Sequence, residues 1–190
     1  QVAWRGVVPT EELPPGLIEP DATVWVGENR HLVTYYLRGG ELINFVAVEE
    51  RSDWREESWT RPGDLNELRA AFGDWHPTVA TLIDKVDQSF LWALFDRKPL
   101  AHWTDGRVAL LGDACLPMLP FMAQGAAMAF EDAYVLARCV AENEDTSEAL
   151  RWYAALRKPR TTTIQTRARE NAAMFHLDGI GARIRLAVAS

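Results

Sequence analysis

The sequence has little cysteine and no long apolar run, and each absence excludes a class of protein. Only two of its 190 residues are cysteine, Cys115 and Cys139, and they form no CxxC pair. A disulfide framework is therefore excluded, and we expect a reducing, cytoplasmic compartment. No apolar run reaches the ~18 residues of a membrane-spanning helix. The first residues lack the apolar core of a signal peptide.

Basic charge is also scarce, and it is unevenly spread. The net charge of −7 argues against a nucleic-acid partner. Residues 1–150 carry 12 basic and 25 acidic side chains, whereas residues 151–190 carry 8 basic and 2 acidic ones. We expect the basic end to be a solvated helix face or to pack on the acidic remainder. Binding of nucleic acid or of an acidic membrane is the less favoured alternative.

Several motifs of catalytic sites are missing. The four histidines have no metal-ligand spacing, so we expect no metal site. No Ser-His-Asp signature, Walker loop or GxGxxG segment before a helix occurs. These absences leave the chemistry to other segments of the chain.

The order of elements, mostly strands first and helices later, predicts an α+β fold. Gly39-Gly40 separates two β-rich runs, which predicts a hairpin. Arg107–Leu111 is predicted to be a buried strand and the strongest strand of the chain. A long helix is predicted over Gln124–Ala141, and a second helical stretch over residues 146–175 with a break near Pro159.

The segment most suited to chemistry follows the predicted strand at Arg107–Leu111. An aspartate at the carboxyl end of a strand, Asp113, lies where α/β sheets bind ligands, and its carboxylate can accept hydrogen bonds from hydroxyls. The next helix start offers unpaired N–H groups to an electron-rich ligand. From the spacing alone, a plain Gly-Asp turn followed by alanines that pack helices is an equal alternative.

The same segment resembles the second flavin-binding motif of the group A FAD-dependent aromatic hydroxylases. The matching residues are Gly112-Asp113-Ala114, Pro117, Pro120, Gln124-Gly125-Ala126, Ala129 and Glu131-Asp132-Ala133. Trp103–Arg107 and the Ala123-Gln124-Gly125 variant are most similar to the salicylate hydroxylase and 6-hydroxynicotinate monooxygenase branch.

The resemblance implies the C-terminal part of such an enzyme, without the N-terminal Rossmann βαβ unit, and the absence of an initiator Met agrees with this expectation. The fold would be a mixed or antiparallel substrate-domain sheet plus the C-terminal part of an FAD-binding domain with long terminal helices. Its three parts would be a mostly β substrate-binding portion (1–100), a flavin-binding strand, loop and helix (101–143) and C-terminal helices (144–190).

The resemblance also implies residue roles. Asp113 would bind the ribityl hydroxyls of FAD, and Gln124, Gly125 and Ala126 would present amides to the pyrimidine side of the flavin. The boundary between flavin and substrate would be lined by Pro120 and Phe121, the latter on the substrate side. For Glu131 we favour a first-turn charge that complements the helix dipole.

On the substrate side, His31 and Tyr35 lie four apart on one face of a predicted strand, a spacing that the nicotinate-hydroxylase branch shows in its substrate pocket. They would act as a phenol-activating base or a substrate clamp. The alternative is an aromatic sheet face with a hydrogen-bonded histidine.

The implied activity is hydroxylation of a salicylate-like or hydroxynicotinate-like substrate with NAD(P)H and O₂. We expect this chain by itself to be inactive and not necessarily to retain FAD. Self-association through the face left by the absent dinucleotide domain is expected. Because Leu116 stands where the family usually has His, the alternative is a non-catalytic remnant or aromatic-ligand-binding module lacking FAD.

Overall fold

The computed structural model describes residues 1–51, 58, 60–95 and 97–177. The described residues of Gln1–Leu94 and Phe175–Ser190 form one compact unit, and those of Phe95–Met174 form a second. The end of the predicted C-terminal part, residues 178–190, lies outside the described residues. The three-part division of the chain stays a prediction.

The first unit is built on a five-stranded antiparallel sheet with the order β2-β3-β4-β1-β5. Its strands are β1 Val2–Pro9, β2 Thr23–Gly27, β3 Arg30–Leu37, β4 Leu42–Glu49 and β5 Phe90–Ala93. The predicted hairpin is confirmed, since β3 and β4 pair along their whole length. Positive φ values at Gly39 (66°) and Gly40 (107°) explain why glycines occupy the connection.

Two helices cover one face of this sheet, α1 Leu65–Phe72 and α2 Pro77–Asp84. Asp64 caps α1, because its carboxylate accepts the Asn66 N–H at 2.7 Å. Trp4, which is fully buried, meets the Phe72 ring edge-on at a centroid distance of 6.2 Å. The first hydrophobic core therefore lies between the sheet and these helices.

The second unit contains a two-stranded hairpin, β6 Thr104–Asp105 and β7 Val108–Ala109, followed by helices α3 Gly125–Glu142 and α4 Thr146–Phe175. The prediction of a strong buried strand at Arg107–Leu111 is wrong here: only two residues of it pair, and Val108 is 64% exposed. In the described part of the chain, no strand other than β6 pairs with it.

Helix α4 runs without interruption for 30 residues through Pro159, so the predicted break is wrong. Proline removes one backbone donor, but buried side chains on both sides of it, Arg157 and Thr161, hold the helix in place. The Thr161 hydroxyl also donates to the Arg157 carbonyl at 3.1 Å. The α+β class with long terminal helices is confirmed. Within the described residues, no helix is both long and apolar enough to cross a membrane.

Candidate functional site

The loop after β7 begins with a short 3₁₀ turn, Gly112–Ala114. Gly112 has φ 59°, and a Cβ at this position would lie 3.2 Å from the Cβ of Ala129 on α3. Both the positive φ and the close approach favour glycine. The turn thereby brings the next residue, Asp113, beside the start of α3.

Asp113 is exposed and faces the first residue of α3. A Cβ added to Gly125 would lie 3.9 Å from Asp113 Oδ1, the nearest non-neighbouring heavy atom to that position. The absence of a side chain at Gly125 thus leaves open space beside the carboxylate. A flat ligand can approach the backbone there.

The N-terminus of α3 supplies hydrogen-bond donors. Gln124 precedes the helix and makes no side-chain capping bond, and the first helical hydrogen bond runs from Met128 N–H to the Gln124 carbonyl at 2.9 Å. The amides of Gly125, Ala126 and Ala127 therefore have no carbonyl partner within the helix. Together with the helix dipole they favour an electron-rich group at this position.

The structure brings five of the predicted cofactor-binding positions into one loop and helix start, since Asp113, Pro120, Gln124, Gly125 and Ala126 all belong to it. Pro120 and Ala126 are exposed, whereas Gln124 and Gly125 are half-buried. Phe121 is only 6% exposed, and its carbonyl accepts the side-chain amide of Asn171 at 3.1 Å. The assigned roles stay predictions.

A narrow crevice, too small to hold a water molecule, lies between this loop and the two helices. It is lined by Gly112, Asp113, Leu116, Met118, Gly125, Met128, Asp132 and Thr161. Next to it, Cys115 is buried and its thiol donates to the Gly112 carbonyl at 3.2 Å. Burial, followed by the charge of Asp132, raises the pKa of this thiol to about 11, so it is a neutral packing group.

Glu131 and Asp132 do not lie in the first turn of α3, so the helix-dipole interpretation of Glu131 is wrong. Glu131 instead accepts two hydrogen bonds from Arg160, both at 2.6 Å, and one from Arg157 at 2.7 Å. The hydrogen bonds from Arg160 first, and then the bond and the charge of Arg157, lower the pKa of Glu131 to about 2. The basic end of the chain thus packs partly on acidic residues of its own unit.

Sequence reasoning missed the role of Arg157 and left that of Asp132 open. Arg157 is 4% exposed and its Nε donates to Asp132 Oδ1 at 2.6 Å, while Asp132 Oδ2 accepts the Gly112 N–H at 3.0 Å. A signal was present in the four-residue spacing of Tyr153, Arg157, Thr161 and Gln165, which places them on one helix face. An apolar pattern search overlooks such a polar face.

The predicted catalytic pair lies in the first compact unit, on one face of β3. His31 is 2% exposed, and its Nδ1 lies 2.6 Å from Nε2 of His176. Burial, and then the neighbouring His176, lower the pKa of His31 to about 3. His176 Nδ1 in turn lies 2.7 Å from Glu50 Oε1. His31 is therefore uncharged at neutral pH.

Tyr35 is half-buried and stands directly opposite Asn44 in the register of β3 and β4. Asn44 is fully buried, and among the residues that the structure describes neither polar atom of its side-chain amide has a hydrogen-bond partner. On the same face, Val7 of β1 is 47% exposed. His31 and Tyr35 thus share a sheet face that is polar in places and partly open. In the described residues, no group of three or more His, Cys, Asp or Glu side chains could hold a metal.

Comparison with known proteins decides the family. A model of the FAD binding domain matches residues 42–168, which include the loop after β7, all of α3 and most of α4. The chain belongs to this FAD-binding domain family.

Proteins similar to this chain in sequence include some that are named as aromatic-ring monooxygenases. A 3-amino-4-hydroxybenzoate 2-monooxygenase of Streptomyces platensis is 41% identical over 95% of this chain and 46% of its own length. A 6-hydroxynicotinate 3-monooxygenase of Pseudomonas fluorescens is 40% identical over 90% of this chain and 45% of its own length. The chain therefore spans about half the length of the curated relatives that it matches.

Solved structures share the fold. A salicylate hydroxylase in its substrate complex superposes with a TM-score of 0.81 at 29% identity, covering 98% of this chain and 51% of that one. HpxO of Klebsiella pneumoniae, complexed with FAD and uric acid, gives 0.78 at 28% identity, covering 97% and 48%. The resemblance to FAD-dependent aromatic hydroxylases is confirmed, and FAD is the cofactor of the family.

The residues at the loop and helix start fit a flavin nucleotide. An exposed carboxylate at Asp113 suits hydroxyl donors, and the α3 amides suit the carbonyl-rich edge of a flavin ring. The missing side chain at Gly125 leaves room for a ring beside them.

Proposed function

We propose that this chain forms the flavin-loop and substrate-sheet part of an FAD-dependent monooxygenase acting on a hydroxylated aromatic substrate. One observation carries the proposal: the exposed Asp113 carboxylate lies beside the unpaired amides at the start of α3, with glycine at the junction. This combination offers acceptors and donors to one ligand at one place. NAD(P)H is the proposed source of reducing equivalents.

At the flavin side, Asp113 would accept hydrogen bonds from ribityl hydroxyls, and the amides of Gly125 and Ala126 would bind the pyrimidine edge. Gln124 presents its backbone there as well. When bound, FAD supplies the redox chemistry of hydroxylation, while the protein orients the substrate and excludes water. Pro120, which is exposed, would line the boundary between flavin and substrate, and the buried Phe121 would support that boundary on the substrate side.

At the substrate side, we propose that His31 and Tyr35 hold a phenol or carboxylate of the aromatic ring. The low pKa of His31 disfavours proton abstraction, because an imidazole with a pKa of about 3 is a weak base at neutral pH. A clamp that exchanges hydrogen bonds with the substrate does not require protonation of His31 and therefore agrees better with this low pKa. The preferred substrates are salicylate-like or hydroxynicotinate-like acids.

The proposal is tested by the absorbance spectrum of the protein expressed from its complete reading frame. Bound FAD gives a flavin spectrum after gel filtration, and Asp113→Asn lowers the affinity for FAD at least tenfold. Asp105→Asn is the matched control, since Asp105 is also exposed but lies in the β6–β7 hairpin. Absence of flavin from the wild type, even after FAD is added, would refute the proposal.

A second candidate is a non-catalytic module that binds an aromatic ligand without FAD. The observation in its favour is Leu116, which is 2% exposed and lines the crevice beside Asp113 with a side chain that cannot transfer a proton. This candidate predicts binding of salicylate or 6-hydroxynicotinate by calorimetry with no flavin spectrum. Substrate-dependent NAD(P)H oxidation would exclude it.

Self-association is the remaining part of the proposal. Large apolar side chains in the second unit are exposed, among them Phe130 (78%) and Leu156 (60%). Exposed side chains of this size are typical of contact surfaces when they cluster. We propose a second copy of the chain as the partner and a cytoplasmic location.

A further inference from the structure

The buried ion pair between α3 and α4 is connected to the loop after β7 through a single carboxylate. Asp132, 1% exposed, uses one oxygen for Arg157 Nε at 2.6 Å and the other for the Gly112 N–H at 3.0 Å. Arg157 is therefore linked to the first residue of the loop without touching it.

A buried ion pair stabilises the contact between two helices poorly, because both charges must lose their hydration. Removing both charges from water is unfavourable, and apolar pairs of similar size are often as stable or more so. What an apolar pair cannot do is accept the Gly112 N–H. The distinctive contribution of this pair is thus the orientation of the peptide that precedes Asp113.

Gly112 needs such a restraint because its conformation is unusual. Its φ of 59° lies in the left-handed region, where glycine is free to move to other conformations. The contact with Ala129 limits the turn from one side, and the bond to Asp132 limits it from the other. Together they determine the direction in which the next side chain, Asp113, leaves the backbone.

Three side chains of α4 also donate hydrogen bonds to backbone carbonyls of the loop after β7. Tyr153 donates to Leu110 at 3.1 Å, Gln165 to Pro117 at 2.7 Å and Asn171 to Phe121 at 3.1 Å. The Arg157 link is the one that acts at Gly112, adjacent to Asp113. Glu131 adds a second anchor, since Arg157 Nη1 lies 2.7 Å from its Oε2.

We propose that Arg157 is a positioning residue for FAD binding: through Asp132 it holds Gly112 and so aims the Asp113 carboxylate. The inference rests on the proposed function for the identity of the ligand. A carboxylate fixed in advance binds its ligand without a further loss of conformational freedom, which is why such a link raises affinity.

The test uses the protein from its complete reading frame and the double variant Asp132→Leu with Arg157→Met. This variant removes both charges together and so leaves no unpaired buried ion. We expect the apoprotein of this variant still to unfold cooperatively in urea. We also expect at least tenfold weaker FAD binding in a fluorescence titration and at least tenfold faster hydrogen exchange at the Gly112 amide. Arg160→Met is the matched control. Arg160 is 54% exposed, and of Glu131 and Asp132 it binds only Glu131. It should leave FAD affinity within about twofold.

The outcomes separate the two claims. If the wild type binds FAD and the double variant binds it equally well, the positioning role is overturned and the proposed function stands. If the wild type binds no FAD, the proposed function fails. Hydrogen exchange at Gly112 then tests whether Arg157 restrains this residue through Asp132, and unchanged exchange in the double variant would overturn that claim. If the double variant does not fold, Arg157→Lys replaces it, since a single ammonium cannot hold both acids as the guanidinium does. Equal FAD affinity and Gly112 exchange in that variant would also overturn the inference.

Discussion

At the scale of single residues, Gly112 shows how backbone conformation and packing act together. Alanine at this position meets two costs, the positive φ of 59° and a Cβ placed 3.2 Å from Ala129. Gly106 has a similar φ of 53° but open space around its Cβ position, so alanine there meets the first cost alone. We expect Gly106→Ala to lower the free energy of unfolding by about 1 kcal/mol and Gly112→Ala by about 2 kcal/mol or more.

Urea unfolding of the two variants measures this difference. The comparison isolates the contact with Ala129, because the conformational cost is common to both positions. Equal destabilisation would show that α3 moves away at no cost.

His31 makes stability depend on pH. Its pKa is lowered to about 3 in the folded protein, mainly by burial, against an ordinary value of 6.5 when unfolded. As the pH falls, His31 therefore becomes protonated in the unfolded chain before it does in the folded protein. The free energy of unfolding consequently decreases from pH 6.5 toward pH 3. Between pH 6.5 and 5, above the range where most carboxylates titrate, the expected slope from this group is about 1 kcal/mol per pH unit.

The measurement is the free energy of unfolding in urea at several pH values in that window. His31→Gln should flatten the dependence, because glutamine does not titrate. His102→Gln, a change at an exposed histidine, should leave it as in the wild type. A wild-type stability that is constant between pH 6.5 and 5 would contradict the prediction.

At the scale of elements, the sequence predicts those parts whose signals are local. The bounds of α2 follow from Pro77 and the apolar spacing after it, and Asp64 marks the start of α1. The Gly39-Gly40 pair identifies the β3–β4 hairpin for the same reason. Each of these signals acts within a few residues of the structure that it determines.

Two elements depart from their local signals for tertiary reasons. The β-rich run at Arg107–Leu111 pairs over only two residues, because a strand needs a neighbour as well as a favourable composition. Helix α4 continues through Pro159, because its buried face makes hydrogen bonds at Arg157 and Thr161 on either side. Composition and proline position could not reveal either outcome.

In the candidate site too, some residues are recognisable from local sequence signals and others depend on tertiary packing. Asp113 and the glycines around it are recognisable in sequence, since the turn and the helix start require those residue types. Arg157 lies 44 residues away from Asp113 in the chain, and its role depends on the packing of α4 against α3. Only the folded structure brings these residues together.

At the scale of the whole molecule, each compact unit has its own hydrophobic core. The second unit nevertheless exposes pairs of large apolar side chains four residues apart, Phe130 with Tyr134 on α3 and Trp152 with Leu156 on α4. Spacing of four places the members of each pair on the same helix face. Water contact with four such side chains is unfavourable, at about 25 cal/mol per Å² of apolar surface.

We therefore expect the isolated chain to self-associate through α3 and α4. Sedimentation velocity at increasing protein concentration should show a rising dimer fraction, because burial of these side chains offsets the entropy lost on association. Phe130→Ser combined with Tyr134→Ser should shift the protein toward monomer by at least tenfold in the dissociation constant. Val24→Thr, a change at an exposed apolar residue of β2, should leave that constant unchanged. A wild-type chain that stays monomeric at all concentrations would show that these side chains tolerate water and that another explanation is needed for their exposure.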